Sequence, residues 1–468
     1  MVAYSCLLFV AFAGTISFKD VSVSSGIEVN TIATKAVQWI DYNRDGKLDL
    51  VLLGDNGTAL FKNIGNGKFV DVTQQAHFGN GGRFATGASW ADIDNNGFPD
   101  VFISNHNDPP KLLLNQNGVF KDITSRIKRP SEIQSSGPSV GGIFIDINND
   151  KLIDLYIINE GAPNQLFKHT GATQFTDISS SAHLNYNGPG RSAVAADFNG
   201  DGYQDLYLVN VKAPNKLYLN NKDGTFTDIA TAAGVDYNGA TVSTAAADIN
   251  HDQKPDLLVV DNENSSFLYK NLGNLKFQKV IPGPLKSAKH GVAGAFADYD
   301  LDTNVDLVLA QEKGAPNLLL RNTGNGGFIR VTGVDLSRPD DPGGICIGDF
   351  NNDGLPDIMI GNGIPGQNGG DSLYENTGGG TNNYLALVLE GSSSNRSGIG
   401  ATVLIQTGQI YQQQSVSGGN GQSQNSLPLN FGLGSSSIVD TVRIVWPDGK
   451  TQSLNQVNVN QILKVKEP

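Results

Sequence analysis

One nine-residue acidic pattern occurs seven times in this chain at nearly constant spacing. Its copies start 51, 54, 51, 51, 50 and 51 residues apart, from residue 41 to residue 349. Self-similarity at a period of about 40–50 residues is typical of β-propellers, in which each repeat forms one four-stranded blade. The repeat therefore predicts an all-β chain with a seven-bladed β-propeller, an architecture that accommodates 468 residues without one oversized core.

Each repeat contains four short runs that are typical of strands, separated by Gly- and Asn-rich turns. In the second copy, small residues (87–91) precede the acidic loop and three further runs follow it. The seventh repeat lacks its last run, whereas Phe18-Lys19-Asp20-Val21 matches that run near the N-terminus. We expect this segment to pair into the seventh blade, which closes the ring and removes open sheet edges.

The acidic pattern reads D-x-[DN]-x-[DN]-(G)-x-x-D, with oxygen-bearing side chains at positions one, three, five and nine. A loop that directs these oxygens and one backbone carbonyl at a single point suits a hard divalent cation and favours Ca²⁺ over Mg²⁺. No His or Cys occupies these positions, which disfavours zinc and copper. An EF-hand is excluded because position twelve is apolar in four copies, as Leu52, Ile103, Leu208 and Ile360. The sequence predicts up to seven calcium ions, one for each blade.

The predicted calcium ligands are the side chains at positions one, three, five and nine of the seven loops. They are Asp41, Asn43, Asp45, Asp49, Asp92, Asp94, Asn96, Asp100, Asp146, Asn148, Asp150, Asp154, Asp197, Asn199, Asp201, Asp205, Asp248, Asn250, Asp252, Asp256, Asp298, Asp300, Asp302, Asp306, Asp349, Asn351, Asp353 and Asp357.

Three loops depart from the pattern at position six, where the sharp turn favours glycine. Lys151, Gln253 and Thr303 stand there in the third, fifth and sixth loops, so each must adopt a positive φ or relax the turn. Lys151 and Lys254 also bring positive charge close to the ion. We expect these three loops to bind calcium more weakly than the others, and the third loop most weakly.

The net charge of −13 argues against nucleic-acid binding, which needs a basic face. The loops contain 22 of the 46 acidic residues, so seven Ca²⁺ would bring the chain close to neutrality.

Residues 1–13 form a short apolar segment ending in Ala11-Phe12-Ala13, which predicts a signal peptide and secretion, with a buried first strand or a truncated leader as the alternatives. Cys6 and Cys346 offer no disulfide framework, and no apolar run is long enough to span a membrane.

The loop and its two flanking strands resemble the FG-GAP/VCBS repeats of integrin α-subunit propellers. Three later motifs, at 395–401 (NRSGIGA), 431–434 (FGLG) and 442–449 (VRIVWPDG), resemble the UnbV-type module of the cartilage acidic protein family. The resemblance implies an extracellular protein whose loops bind calcium. We predict a signal peptide at 1–13, the propeller at 14–380 and a UnbV-type domain at 381–468.

The C-terminal stretch reads as a small antiparallel sandwich, because short apolar or alternating runs at 384–389, 401–406 and 441–446 lie between turns. Trp446 is predicted to pack in its core and to be followed by a turn, with a sugar-stacking platform as the alternative.

Three functions remain open, because the six histidines keep no common position and H-E-x-x-H and Walker motifs are absent. The leading hypothesis is an adhesion or binding module for glycans or matrix proteins. The alternatives are a self-associating structural subunit and a carbohydrate-active lyase or dehydratase. In a binding module, the loops before the first strand of each blade would form the ligand-binding mouth. Its residues would be Arg83, Phe84, Tyr186, Arg191, Tyr237, Lys289 and His290. An enzyme would use Arg83, His183, Tyr186 and Arg191 as its catalytic set.

Overall fold

The computed structural model describes residues 14–27, 32–80, 84–128, 137–336, 342–363, 370–421 and 425–468. The predicted signal peptide, with Cys6, and Arg83 lie outside these ranges. Within them, regular structure is almost entirely β, with two four-residue α-helices and three short 3₁₀ segments. None of the helices in the described ranges has the length and apolar character needed to cross a membrane.

Seven four-stranded units make up the described part of the propeller. An N-terminal strand β1 (Phe18–Asp20) and helix α1 (Ser22–Ser25) precede them. The strands of blades one to three are β2 (Thr34–Ile40), β3 (Asp49–Gly54), β4 (Gly57–Gly65), β5 (Lys68–Asp71), β6 (Ala85–Ala91), β7 (Asp100–Asn105), β8 (Lys111–Gln116), β9 (Val119–Asp122), β10 (Ile127–Lys128), β11 (Ser139–Ile145), β12 (Asp154–Pro163), β13 (Gln165–His169) and β14 (Phe175–Asp177).

The remaining blades follow the same order along the chain. Their strands are β15 (Asn187–Ala196), β16 (Asp205–Asn210), β17 (Lys216–Asn220), β18 (Phe226–Asp228), β19 (Thr241–Ala247), β20 (Asp256–Asp261), β21 (Phe267–Asn271), β22 (Phe277–Val280), β23 (Gly291–Ala297), β24 (Asp306–Gln311), β25 (Leu318–Asn322), β26 (Phe328–Arg330), β27 (Pro342–Gly348), β28 (Asp357–Asn362) and β29 (Ser372–Asn376). Helix α2 (Ala230–Ala233) lies between β18 and β19, and the 3₁₀ segments are Phe78–Asn80, Thr124–Arg126 and Gly283–Ser287.

The first strands of the blades line a central channel and form a closed ring. Each contacts the first strands of both neighbouring blades, in the order β2, β6, β11, β15, β19, β23, β27 and back to β2. Strand β1 pairs antiparallel with β29 as the outermost strand of the seventh blade, with Phe18 opposite Asn376. The predicted seven-bladed propeller and its closure by the N-terminal strand are confirmed.

The third blade departs from the simple pattern. Strand β10 adds to it by pairing parallel with β14, and the end of β12 pairs with the start of β15, which joins the third and fourth blades in one sheet. The sequence analysis identified neither pairing, because both involve residues outside the regular repeat.

A buried asparagine at the end of the third strand links each of six blades to the preceding one. Its side-chain N–H₂ donates a hydrogen bond of 2.8–3.0 Å to the backbone carbonyl of loop position two in the preceding blade. We call this contact the asparagine clamp; its residues are Asn63, Asn115, Asn220, Asn271, Asn322 and Asn376. The third blade carries His169 instead, which is buried, stacks on Phe175 at 4.7 Å and has no hydrogen-bond partner for either ring nitrogen.

The C-terminal domain is a two-sheet sandwich. Its strands are β30 (Asn383–Glu390), β31 (Thr402–Thr407), β32 (Ile410–Ser415), β33 (Leu429–Gly434), β34 (Ile438–Val445), β35 (Thr451–Asn458) and β36 (Gln461–Lys466). One sheet has the order β33-β30-β36 and the other β32-β31-β34-β35. Trp446 is buried in the core, as predicted. The pair β30–β36 is parallel, so the expectation of a wholly antiparallel sandwich was wrong in this pair.

A glycine-rich segment of the sandwich, residues 416–421, lies inside the propeller channel. We call it the channel segment. The hydroxyl of Ser89 in β6 donates to the Gly418 carbonyl, and the hydroxyl of Ser192 in β15 donates to the Asn420 carbonyl at 2.7 Å. Gly421 forms a β-bridge with Gly142 in β11. A side chain at position 418 would overlap the Phe144 carbonyl, so the close approach requires glycine.

The asparagine clamp gives a first prediction. The substitution Asn220→Ala leaves the carbonyls of Ile147 and Gln204 without their side-chain donor. Because an unsatisfied buried polar group costs about 1–3 kcal/mol, we expect the free energy of unfolding to fall by that amount in urea titrations. The neighbouring exposed Asn221→Ala is the matched control, and equal losses in the two variants would refute the role of the clamp.

Candidate metal centres

All seven acidic loops have the same curled backbone, set by two residues in the left-handed region. Position four has φ values of 55° to 75° and position six has φ values of 63° to 97°. Lys151 (79°), Gln253 (63°) and Thr303 (85°) adopt the positive φ instead of relaxing the turn. These three loops therefore keep the geometry of the others at a strain of about 1–2 kcal/mol each.

The aspartate at position one closes the curl through its carboxylate. In the seventh loop, the N–H groups of Asp353 and Gly354 donate to the two oxygens of Asp349, at 3.0 and 2.7 Å. The loops that begin at residues 41, 146, 197, 248 and 298 repeat these bonds from positions five and six. In the second loop, Gly97 donates to one oxygen of Asp92, and the other is buried without a hydrogen-bond partner. That orphaned oxygen is available to a cation.

The aspartate at position nine is a structural hub as well as a predicted ligand. In the second to seventh loops one oxygen accepts the N–H of loop position two, at 2.8–3.2 Å. The other accepts the N–H of the residue at the end of the third strand, at 2.7–2.9 Å. Each oxygen therefore has one remaining lone pair for a cation.

Two loops bring three carboxylates together within the described residues. Atoms of Asp92, Asp94 and Asp100 lie within 4.8 Å of one another, as do atoms of Asp298, Asp300 and Asp306. These are the two loops with Asp at position three, where the others carry an Asn side chain. The two triads combine positions one, three and nine.

Arg321 balances the extra charge of the sixth loop, which has four aspartates. Its guanidinium lies 2.6 Å from Asp300 and 2.8 Å from Asp302. This single positive charge offsets the additional aspartate of the sixth loop.

Burial leaves the loop carboxylates poorly stabilised as anions. Desolvation is the main cause, with neighbouring aspartates adding to it, and backbone N–H donors offset part of the effect. At position nine, desolvation raises the pKa of Asp49, Asp100 and Asp205 to about 8 and that of Asp256 to about 7. At position one, desolvation raises the pKa of Asp92, Asp146 and Asp349 to about 6. A hard divalent cation supplies the missing charge, so the oxygen-only donor set fits Ca²⁺.

Lysines contact several aspartates at position five. Lys254 lies 3.1 Å from a carboxylate oxygen of Asp252, as the sequence suggested. In the third loop, however, the cation on Asp150 is Lys168 of the adjacent strand, at 3.5 Å, and Lys151 takes part through its backbone N–H. The weaker binding predicted for these loops stays a prediction.

The residues proposed for a ligand mouth are largely engaged in internal contacts. Lysine ammonium groups lie over the rings of Tyr186 and Tyr237, at 5.2 and 4.1 Å from the ring centroids. Arg191 lies 3.6 Å from Glu160, and His290 contacts the Asn262 carbonyl. Lys289 donates its backbone N–H to Ser287, and His183 donates its own to Ser180. The contacts of His183, Tyr186 and Arg191 in the described residues involve different partners.

Phe84 is the exception among these residues. Its side chain is 36% exposed and its backbone has φ 60°, a strained conformation for a bulky residue. Its N–H donates to the Asp55 carbonyl, and its own carbonyl accepts from His106, which holds the strained position between the first two blades.

The sequence analysis missed the asparagine clamp, although a signal was present. An asparagine follows the position-nine aspartate by 14–19 residues in six of the seven repeats. Its role was hidden because Asn at a strand end also reads as an ordinary turn residue.

Comparison with protein families agrees with this geometry. The FG-GAP-like repeat model matches residues 41–103, 146–208, 197–259, 248–309 and 298–360, which together are more than half of the chain. Each match begins at the position-one aspartate of a loop. This chain belongs to the FG-GAP-like repeat family. The ASPIC and UnbV model matches residues 391–468, within the sandwich.

Two curated relatives extend the similarity over both domains. Cartilage acidic protein 1 of Xenopus tropicalis is 25% identical over 485 residues, covering 92% of this chain and 73% of the relative. The Homo sapiens protein of the same name is 25% identical over 488 residues, covering 92% and 71%. The family predicted from the loop and C-terminal motifs is confirmed.

A solved structure supports the fold alone. The chain is similar to BBS1N in its crystal structure with ARL6DN, with a TM-score of 0.50 and 12% identity. The match covers 77% of this chain and 96% of that one.

The raised pKa values predict how calcium and pH act together. The unfolded aspartates have a pKa near 3.8, so each buried carboxyl favours the folded state while protonated. In the calcium-free protein this contribution is complete below about pH 4 and is lost as pH rises through about 6 to 8. We therefore expect the rise in melting temperature on adding calcium to grow from pH 5 to pH 8. If calcium raises the melting temperature by the same amount at every pH, the loop carboxylates do not carry buried, uncompensated charge.

The strained turns predict opposite effects of glycine and alanine. The substitution Lys151→Gly removes a left-handed side chain and should raise the free energy of unfolding by about 0.5–1 kcal/mol. In the fourth loop, Gly202 has φ 86° and a Cβ at this position would meet only open space, so Gly202→Ala should cost about 1 kcal/mol through backbone strain alone. Urea unfolding measures both; a loss of stability in Lys151→Gly would show that the lysine side chain contributes more than its backbone costs.

Proposed function

We propose that this protein is a secreted calcium-binding β-propeller that acts as an adhesion or binding module for an extracellular glycan or matrix partner. One observation carries the calcium part of the proposal. All seven loops share two left-handed residues, and in two of the loops three aspartate carboxylates have oxygen atoms within 4.8 Å of one another. The proposed ligands are the side chains at positions one, three, five and nine, with up to seven ions.

The proposed role of calcium is structural: it stabilises the acidic loop of each blade and takes part in no reaction. A Ca²⁺ ion supplies positive charge to buried carboxylates when bound. The chain's own residues then keep the second and third strands joined, because the position-nine aspartate holds the N–H groups of both the loop and the third strand. This is the behaviour of a rigid scaffold that presents a surface to a partner.

The extracellular part of the proposal rests on similarity and on the predicted signal peptide. The relatives are named as cartilage acidic proteins, and a secreted protein meets calcium at concentrations that suit extracellular calcium modules. Calcium loops of this kind are consistent with such a setting.

The surface that we propose for a partner is the propeller face opposite the acidic loops. The sandwich covers much of the loop face, for example through Arg396, 3.6 Å from Asp92, and Tyr384, whose ring lies over Gly354. The opposite face carries the exposed Phe84 and charged pairs such as Lys35–Asp55 and Arg191–Glu160. An exposed ring among paired charges suits a sugar or a polar protein surface.

Two measurements test the proposal. Native mass spectrometry with added Ca²⁺ should show several ions and at most seven for each chain, and no bound calcium would overturn the metal-binding part. A glycan and matrix-protein array, probed in millimolar calcium and in chelator, should show calcium-dependent binding to one ligand class.

A pair of variants tests the face. We expect Phe84→Ala to weaken array binding at least tenfold, whereas Val119→Ala, which alters another exposed apolar residue, should leave it unchanged. The absence of array binding in both conditions would refute the binding-module proposal and favour self-assembly.

A further inference from the structure

The sandwich docks on the residues that give the acidic loops their curl. At position four, the Leu301 carbonyl accepts a hydrogen bond from Gly434 at 2.8 Å, and the Asn95 carbonyl accepts one from Arg396 at 3.3 Å. Also at position four, the His251 ring contacts the Tyr411 carbonyl at 3.0 Å. These contacts join the second, fifth and sixth loops to the sandwich.

The first and seventh loops make contacts of the same kind. Arg44, at position four, lies 3.5 Å from Glu390. Gly354, at position six, accepts a hydrogen bond from Asn430 at 3.0 Å, and the Tyr384 ring packs so closely on it that a Cβ at 354 would clash.

Each of these five loop residues has a positive φ. The docking surface therefore consists of atoms whose positions depend on the curl itself. A loop that loses the curl moves those carbonyls and side chains away from the sandwich.

Charged groups strengthen the coupling at the second loop. Arg396 lies between the position-one aspartate Asp92 and Glu390 of the sandwich, at 3.6 and 3.0 Å. The N–H of Asp92 also donates to the Ser397 hydroxyl at 2.8 Å. A predicted calcium ligand is thus held directly by two neighbouring residues of the sandwich.

We propose that calcium binding and docking of the sandwich are thermodynamically linked, so that loss of calcium releases the sandwich and draws the channel segment out of the propeller. This inference rests on the calcium binding proposed above. The ions hold the curl, the curl holds the sandwich, and the sandwich carries residues 416–421 into the channel. By reciprocity, docking raises the calcium affinity of the loops that it contacts.

Hydrogen exchange measured by mass spectrometry tests the linkage in the full-length protein. The reporters are peptides that contain Ala193, whose N–H donates to the Asn420 carbonyl, and Ser426, whose N–H donates to the Ile347 carbonyl. On removal of calcium, we expect exchange at both reporters to accelerate at least tenfold under conditions where the middle of β7 stays protected.

Two equivalent substitutions separate the docked loops from a control loop. Asp353→Asn alters position five of the seventh loop, which contacts the sandwich. Asp150→Asn alters the same position of the third loop, where Asn149 bonds instead to Gly202 of the fourth loop. Each substitution leaves its loop with two carboxylates, because position three is already Asn, and should weaken calcium binding there; only Asp353→Asn should accelerate exchange at the reporters.

A neutral pair tests the reverse direction. Asn430→Ala removes a docking contact without changing charge and should lower calcium affinity about fivefold, the lower end of usual coupling energies. Asn455→Ala, on the exposed strand β35, should leave it unchanged.

The outcomes distinguish the two proposals. If no calcium binds, both the proposed function and the linkage are overturned. If calcium binds but its removal leaves the reporters protected, or if Asp150→Asn and Asp353→Asn act alike, the linkage alone is overturned.

Discussion

The buried aspartate at loop position nine is the interaction on which the rest of the propeller depends. In the second to seventh blades its carboxylate accepts one N–H from the loop and one from the end of the third strand, so it joins the three inner strands of the blade at one point. In six blades, the third-strand residue that donates its backbone N–H to this aspartate is an asparagine. The side chain of that asparagine also donates a hydrogen bond to a backbone carbonyl of the preceding blade. Burying an anion in this way is costly unless positive charge is supplied nearby. The acidic loops therefore belong to the architecture of the seams as well as to the proposed metal sites.

The two faces of the propeller differ because the sandwich occupies one of them. It contacts the loops at their left-handed residues, and its channel segment passes between the inner strands of several blades. Glycine makes this possible: a Cβ at Gly141 would overlap the Gly421 carbonyl and a Cβ at Gly418 would overlap the Phe144 carbonyl, so both positions let backbones approach closely. The opposite face, where Phe84 is exposed, is the one that we propose for a partner.

The sequence predicted the parts of the structure that repeat. Seven acidic loops at a fixed period specified the blades, and Phe18-Lys19-Asp20-Val21 was recognisable as a displaced outer strand because six other copies defined its pattern. Trp446 was placed correctly in the sandwich core, since a large apolar side chain before a Pro-Asp-Gly turn has few other environments.

Features that occur once could not be predicted in the same way. No prediction was made from the sequence for residues 416–421, because nothing local indicates which surface a glycine-rich stretch will contact. The contacts of Arg396 with Asp92 and of Asn430 with Gly354 join residues more than 70 positions apart and carry no periodic signal. The pairing of Lys168 with Asp150 was missed for a related reason, since it crosses from a strand to a loop. Tertiary packing, and not local propensity, determines each of these.

Anomalous X-ray scattering from a crystal grown in calcium tests the central claim most directly. The account predicts anomalous density inside the acidic loops, bounded by the oxygens of positions one, three, five and nine, with the weakest peak in the third loop. Calcium-sized peaks confined to the surface, with the loop carboxylates hydrogen-bonded only to backbone N–H groups and water, would contradict it.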